Sequence, residues 1–176
     1  MKFGSGTLNL DRIDYLLLDA LQHDAKISLK RIGEQVGLSA PSVLERVRKL
    51  EQAGAIRGYF AELDGRKVGI DVGAFIGVTI RNPPSMNAFE QWVVTERLIQ
   101  ECHHVTGGFS LVLKVKAPTT RDLEQLIRRI RSLEGVERTE TMVVLSSTKE
   151  QIQIALEIPE EDESPRERRG RRRSPG

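Results

Sequence analysis

The sequence predicts an α+β protein in which an N-terminal helix-turn-helix domain of the winged type is joined by a strand linker to a ferredoxin-like βαββαβ domain. Three observations support this prediction. Residues 10–56 carry the capping signals and apolar spacing of three short helices. Residues 71–156 carry strand and helix patterns in the order strand, helix, strand, strand, helix, strand. Between them, residues 57–70 contain strand-forming residues and a turn signal, which indicates a linker strand and hinge.

The composition is that of an ordinary globular chain, with 39% hydrophobic residues among 176. This is enough to form a packed core in one domain or in two small ones. The longest apolar run, near residues 72–80, is too short to span a membrane, and the N-terminus lacks a secretion signal. The single cysteine, Cys102, excludes an intramolecular disulfide and fits a reducing compartment. We therefore expect a cytoplasmic protein with no membrane partner.

The first two helices are marked by their ends. Asp11 begins the first helix, and Asp14 completes a capping box with it. Ser28 opens a second, shorter helix, and Gly37 ends it. Because only two residues separate Gly37 from the next helix, the arrangement is typical of a helix-turn-helix braced by a preceding helix.

The third helix has a polar start, an inner apolar stripe and a basic outer face. Ser39 can cap it, Pro41 suits its first turn, and Gly54 closes it. Residues 26–57, which contain this helix, carry seven basic and three acidic side chains, which favours a polyanionic partner. The inward stripe consists of Val43, Val47 and Leu50. Such a helix fits the DNA major groove, although a surface helix with solvated charges is the alternative.

The candidate DNA contacts are the polar and small residues of this third helix. Arginine and lysine can reach guanine or phosphate, glutamate can accept a hydrogen bond from cytosine, and serine can touch either kind of group. For Arg46 a salt bridge that braces the fold is an equal alternative. The candidates are Ser39, Ala40, Ser42, Glu45, Arg46, Arg48 and Lys49.

The linker and the open face of the sheet both predict self-association. Residues 56–63 have strand character but no local partner, so pairing with a second copy is expected. In the C-terminal domain both helices cover one face of the sheet. The other face carries apolar side chains at Val112, Met142 and Val144, which suggests that another protomer covers it. Gly73 and Gly77, also on that face, permit close approach.

The boundaries within the C-terminal domain follow from strand alternation and caps. The first strand spans residues 72–80, the second 98–106 and the fourth 136–145, with the third beginning after Gly107-Gly108. Ser85 is expected to cap the first helix, whose inner residues include Phe89. Thr119 and Asp122 are expected to form a capping box for the second.

Both ends of the chain lack a folding pattern. Residues 1–9 are predicted to form a flexible N-terminus and residues 157–176 a disordered charged tail. Six arginines between residues 166 and 173 can hold DNA phosphates, with a solubilising tail as the equal alternative.

No motif for catalysis or cofactor binding is recognisable, so we expect neither an enzyme nor a bound cofactor. Cys102, His103 and His104 suggest a metal site at first sight. Strand alternation, however, places Cys102 and His104 on one face and His103 on the other, so only two ligands converge. We therefore expect no metal and assign these residues to core lining or loop orientation.

Four segments of the sequence resemble the Lrp/AsnC (feast/famine) family of bacterial and archaeal transcription regulators. They are LDRIDYLLLDALQHDAKIS at 10–28, VGLSAPSVLERVRKLEQAGAIRGY at 36–59, ECHHVTG at 101–107 and GVERTETMVVL at 135–145. The resemblance covers about residues 8–156. It implies homodimers through the linker strand and the sheets, higher oligomers such as octamers, and binding of double-stranded DNA by the third helix.

The resemblance also implies that the C-terminal domain, of the RAM/AsnC type, senses an amino acid between dimers. Its contacts would come from the loop after the second strand and from the fourth strand: His104, Thr106, Gly107, Gly108, Ser110, Thr139, Glu140, Thr141 and Met142. Relatives commonly carry acidic residues in this loop, and residues 108–110 have none. A different or less polar ligand, or no effector at all, are the two options. A ligand-sensing module that acts on a protein partner is the alternative function.

Overall fold

The computed structural model describes residues 8–160. The predictions for the first seven residues and for the arginine-rich tail lie outside these described residues. The chain divides into two compact units. Residues 62–150 form one unit, and residues 8–61 form the other together with 151–160, whose Ile154 exchanges two backbone hydrogen bonds of 2.9 Å with the side-chain amide of Gln22.

The first unit contains the three predicted helices, α1 Arg12–His23, α2 Leu29–Val36 and α3 Ala40–Gln52. The side chains of Asp11, Ser28 and Ser39 accept hydrogen bonds from first-turn amides and fix where the helices begin. The tight turn after α2 is made by Gly37, whose φ is 70°. The core joins all three helices and consists of Leu17, Leu21, Ile32, Val43, Val47 and Leu50.

The linker forms no strand within the chain. Residues 53–64 have no regular hydrogen-bonded structure, and Gly65–Val68 forms a single 3₁₀ turn. A β-wing is therefore not seen after α3 in the described residues, and a 3₁₀ turn capped by Asp64 follows instead. Tyr59 donates a hydrogen bond to Glu51 on α3, and burial together with this bond raises the pKa of Tyr59 to about 12.

The second unit confirms the βαββαβ order. Its elements are β1 Val72–Ile80, α4 Pro83–Thr95, β2 Ile99–His104, β3 Leu111–Ala117, α5 Thr120–Ser132 and β4 Val136–Val143. All strand pairs are antiparallel, and the strand order is β2-β3-β1-β4. Both helices pack on one face, where Phe89 of α4 and Leu126 of α5 are buried against the sheet. The other face has no covering element in the described chain.

The caps of the two helices differ from the prediction in one case. Thr119 and Asp122 form the expected capping box of α5. The prediction that Ser85 caps α4 is wrong, because Asn82 caps the helix and the helix begins three residues earlier than expected. Asn82 accepts a hydrogen bond from the Ser85 amide, and Pro83 occupies the first helical position, which needs no amide donor.

Candidate DNA-binding helix and effector loop

The third helix presents one buried and one exposed side. Val43, Val47 and Leu50 are buried against α1 and α2, as their spacing predicts. The opposite side leaves polar groups in solvent, while Ala40 is half-buried at the start of the helix. The exposed candidates are Ser39, Ser42, Glu45, Arg48 and Lys49. The exposed side of α3 is therefore accessible to a binding partner.

The two serines at the start of α3 contact each other. The Oγ of Ser39 accepts a hydrogen bond from the amide of Ser42 at 3.3 Å, and the two hydroxyl oxygens lie 2.9 Å apart. Ser39 therefore fixes the first turn of α3, and Ser42 stands beside it on the exposed side.

Arg46 differs from the other candidates, because it reaches across to α1. Its Nη1 lies 2.7 Å from Oδ2 of Asp11 and 2.8 Å from Oδ1 of Asp14. These two hydrogen bonds raise the pKa of Arg46 against the effect of its burial. The geometry matches the bracing alternative of the sequence analysis, since the guanidinium ties α3 to the beginning of α1.

Glu45 and Lys49 form an exposed pair on adjacent turns of α3. Lys49 Nζ lies 2.8 Å from Glu45 Oε1, and the hydrogen bond and charge of Lys49 lower the pKa of Glu45. Both side chains are about 70% exposed. Exposed pairs of this kind contribute little to stability, so either side chain can exchange its partner for a ligand group at small cost.

The predicted effector residues lie on both sides of the sheet. Thr139 and Thr141 pair with Val78 and Ile76 and face the helices, whereas Glu140 and Met142 pair with Gly77 and Phe75 on the open face. Thr139 accepts a hydrogen bond from Arg131 of α5 at 2.8 Å. The Oγ1 of Thr141 is buried and has no hydrogen-bond partner among the described residues.

The loop residues are held mainly by β1. The amide of Ser110 donates to the carbonyl of Val78 at 2.9 Å, and its hydroxyl accepts from the amide of Ile80 at 3.1 Å. Thr106, Gly107 and Gly108 are exposed at the tip. His104, at the end of β2, pairs with Glu90 of α4. The nine candidates therefore surround the loop without forming one cluster within the chain.

Two further residues lie at this loop and are not among the predicted effector contacts. The ring of Phe109 lies over Gly77 on the open face, and the guanidinium of Arg138 lies 5.9 Å from the ring centroid. The one signal in the sequence for this contact was Gly77. A glycine in a strand indicates that another group can approach closely, but it does not identify that group.

The histidines and the cysteine face as strand alternation predicts. Cys102 pairs with Leu113 on the helix side, and its burial raises the pKa of the thiol. His103 contacts Glu101 on the open face, and Glu101 also contacts Lys114. No group of three potential ligands for a metal ion was found in residues 8–160, nor any helix long and apolar enough to cross a membrane.

Comparisons with known proteins agree with both units. Residues 10–51 match the AsnC-type helix-turn-helix domain, and residues 73–154 match the Lrp/AsnC ligand binding domain. The leucine-responsive regulatory proteins of Escherichia coli K12 and Salmonella typhimurium are 36% identical over 152 residues. That alignment covers 84% of this chain and 92% of theirs.

Solved structures show the same similarity. The complex of a Neisseria meningitidis transcriptional regulator with L-Met has a TM-score of 0.80 at 26% identity, over 84% of this chain and 97% of that one. AsnC of E. coli has a TM-score of 0.76 at 27% identity, over 82% and 97%. The leucine response regulatory protein of Mycobacterium tuberculosis has a TM-score of 0.73 at 31% identity, over 85% and 100%. The chain belongs to the Lrp/AsnC family of DNA-binding transcriptional regulators.

Proposed function

We propose that a dimer of this chain binds a pseudo-palindromic DNA site through the exposed side of α3 and that an amino acid or a related metabolite modulates the binding. In this proposal the chain acts in the cytoplasm and has no catalytic activity of its own. Its relatives are transcriptional regulators. The two α3 helices of a dimer would enter major grooves about one helical turn of DNA apart, or a multiple of it.

The DNA-binding proposal depends on one observation: some polar side chains of α3 contact the rest of the domain, and others are exposed to solvent. Arg46 is occupied by α1, whereas Glu45, Arg48 and Lys49 are exposed. A helix fixed to its own domain on one side can present the other side in a defined orientation. We propose that Lys49 and Glu45 read bases, that Arg48 contacts phosphate, and that Ser42 contacts either.

Self-association is proposed from the exposed apolar side chains of the second unit and of the linker. Phe60 in the linker is 81% exposed, and Met142 on the open face of the sheet is 46% exposed. Exposed apolar side chains of this size are typical of surfaces that a partner covers. A second copy of the chain is the partner proposed here, and assembly of dimers into an octamer extends the same proposal.

The effector part of the proposal comes from relatives. Three of them are named for their response to leucine, and another was solved with L-Met bound. Because residues 108–110 contain no carboxylate, an effector ammonium group would have to find another acceptor. Glu140 is the carboxylate among the predicted contacts.

The test is binding to duplexes selected from a random pool by the full-length protein. The control is Arg121→Ala, which removes one exposed charge from α5. Lys49→Ala is expected to weaken binding to the selected duplex by about 1–3 kcal/mol and to relax its preference over a scrambled duplex. The proposal fails if no duplex is enriched, and a protein partner then becomes the better explanation. It also fails if Lys49→Ala and Arg121→Ala bind alike.

A further inference from the structure

An aromatic ring lies flat on the open face of the sheet. Phe109, which precedes β3, covers Gly77 at the middle of β1. A Cβ atom built on Gly77 would lie 2.8 Å from three carbons of this ring, closer than real Cβ contacts, so the ring would have to move. The ring therefore contacts the backbone of β1 directly, and Gly77 is buried although it faces the uncovered side.

The ring is held from β4 as well. The guanidinium carbon of Arg138 lies 5.9 Å from the ring centroid, within the range of a cation–π interaction. The same guanidinium donates a hydrogen bond of 2.8 Å to Glu140. Phe109, Arg138 and Glu140 thus form one connected group across β1 and β4.

Ser110 fixes the other side of the loop. Its amide and hydroxyl bind Val78 and Ile80 of β1, and the hydroxyl of Thr79 lies 3.4 Å from the carbonyl oxygen of Gly108. The Phe109 ring therefore belongs to a segment, residues 108–110, that is hydrogen-bonded to β1 on both sides of Phe109. Moving the ring would uncover Gly77 and break the contact of the ring with Arg138, and it would leave the position beside Glu140 on the open face unoccupied.

The ring occupies the position over Gly77, directly beside Glu140, where an effector would meet the open face. Glu140 is engaged with Arg138, and the polar groups of Ser110 are engaged with β1. We propose that Phe109 holds the loop closed and that an effector binds only after the ring leaves Gly77. Phe109 is then a positioning residue that sets the affinity for the effector. The inference rests on the proposed function, since it takes the effector site to be at this loop.

The expected consequence follows from population shift. When only a fraction of the protein is in the binding-competent state, the apparent dissociation constant rises by the inverse of that fraction. Removing the ring should therefore tighten effector binding, by roughly tenfold if the closed loop is populated about ten times more than the open one.

Three variants separate the ring from general damage to the sheet. Phe109→Ala removes the ring, and Gly77→Ala displaces it with a single methyl group. Gly73→Ala is the matched control, because it places the same methyl on the same face of β1. Its Cβ would meet the side chain of Val144 at 3.6 Å, an ordinary contact distance.

The experiment combines two measurements on each full-length protein. Hydrogen exchange followed by mass spectrometry reports the protection of residues 105–110, and calorimetry with the individual amino acids reports effector binding. Phe109→Ala and Gly77→Ala are expected to lose protection and to bind an amino acid roughly tenfold more tightly than the wild type. Gly73→Ala is expected to match the wild type in both. DNA binding to a selected duplex checks that each variant is folded.

The outcomes distinguish this inference from the proposed function. Unchanged protection in Phe109→Ala and Gly77→Ala overturns the closed loop. If the two variants lose protection but bind the amino acid no more tightly than the wild type, Phe109 has no gating role. In that case a measurable affinity of the wild type for an amino acid still supports the proposed function. If no protein binds any amino acid but all bind DNA, both the gating role and the effector part of the proposed function are wrong.

Discussion

The ion pairs between Arg46 and α1 give the sharpest prediction about stability. Arg46→Ala leaves Asp14, whose side chain is only 16% exposed, without its cationic partner. Hydrogen bonds to charged groups contribute about 1.5–3 kcal/mol, and exposed pairs such as that with Asp11 contribute about 0–1 kcal/mol. We expect Arg46→Ala to lower the free energy of unfolding of the first unit by about 2 kcal/mol.

Urea unfolding with two probes can measure this loss. Far-UV circular dichroism follows all helices, whereas the fluorescence of Trp92, the one tryptophan of the sequence, follows the second unit. Arg46→Ala should shift the circular dichroism transition and leave the Trp92 transition in place. Lys49→Ala, which removes an exposed pair on the same helix, should lower stability by no more than about 0.5 kcal/mol.

A double-mutant cycle isolates the contact itself. Asp14→Asn removes the charge but keeps an oxygen that can accept the capping hydrogen bond from the Asp11 amide. The coupling between Arg46→Ala and Asp14→Asn should be about 1–2 kcal/mol. The cycle of Lys49→Ala with Glu45→Gln should give a clearly smaller coupling, because both of these side chains are about 70% exposed. Equal couplings, or a loss of DNA affinity by Arg46→Ala with unchanged stability, would refute the bracing role.

Four further predictions concern the caps, the turn, the linker and pH. Ser39→Ala should cost about 1 kcal/mol by urea unfolding, and Ser39→Asp should keep the cap. In Gly33→Ala the new methyl would collide with the carbonyl oxygen of Leu38, so we expect a loss above about 2 kcal/mol instead of the usual helix gain. Phe60→Asp should shift the protein towards monomer in sedimentation. Burial raises the pKa of Asp11, but hydrogen bonds from the Asp14 amide and from Arg46 outweigh burial, so this pKa lies below its ordinary value. The stabilisation by the Asp11 carboxylate should therefore be complete above the ordinary pKa and be lost as the pH falls through the lowered pKa, and the loss should be smaller in Arg46→Ala.

The helix boundaries of the first unit could be predicted because local chemistry determines them. Asp11, Ser28 and Ser39 each cap a helix, and Gly37 adopts the left-handed conformation that ends α2. The Ser85 prediction failed for a related reason. Asn82 and Ser85 can both cap a helix, and Pro83, which follows Asn82, is suited to the first turn.

The tertiary contacts of single side chains could not be predicted in the same way. Spacing along α3 could not decide whether Arg46 contacts a base or forms a salt bridge, because its acidic partners lie more than thirty residues earlier in the chain. The sequence places Phe109 in a loop, and its contact with Gly77 depends on the pairing of β1 with β3 and on the path of the loop.

The salt dependence of DNA binding tests the central claim most directly, namely that the exposed side of α3 faces DNA in both copies of a dimer. Affinity for a selected duplex would be measured over a range of salt concentrations for the wild type, Arg48→Ala and Arg121→Ala. Each lost phosphate contact reduces the slope of log affinity against log salt by about 0.9. Because a dimer loses one phosphate contact in each of its two copies, we predict that the slope falls by about 1.8 for Arg48→Ala. We predict no change in slope for Arg121→Ala. An unchanged slope for Arg48→Ala, or an equal reduction in both variants, would contradict the claim.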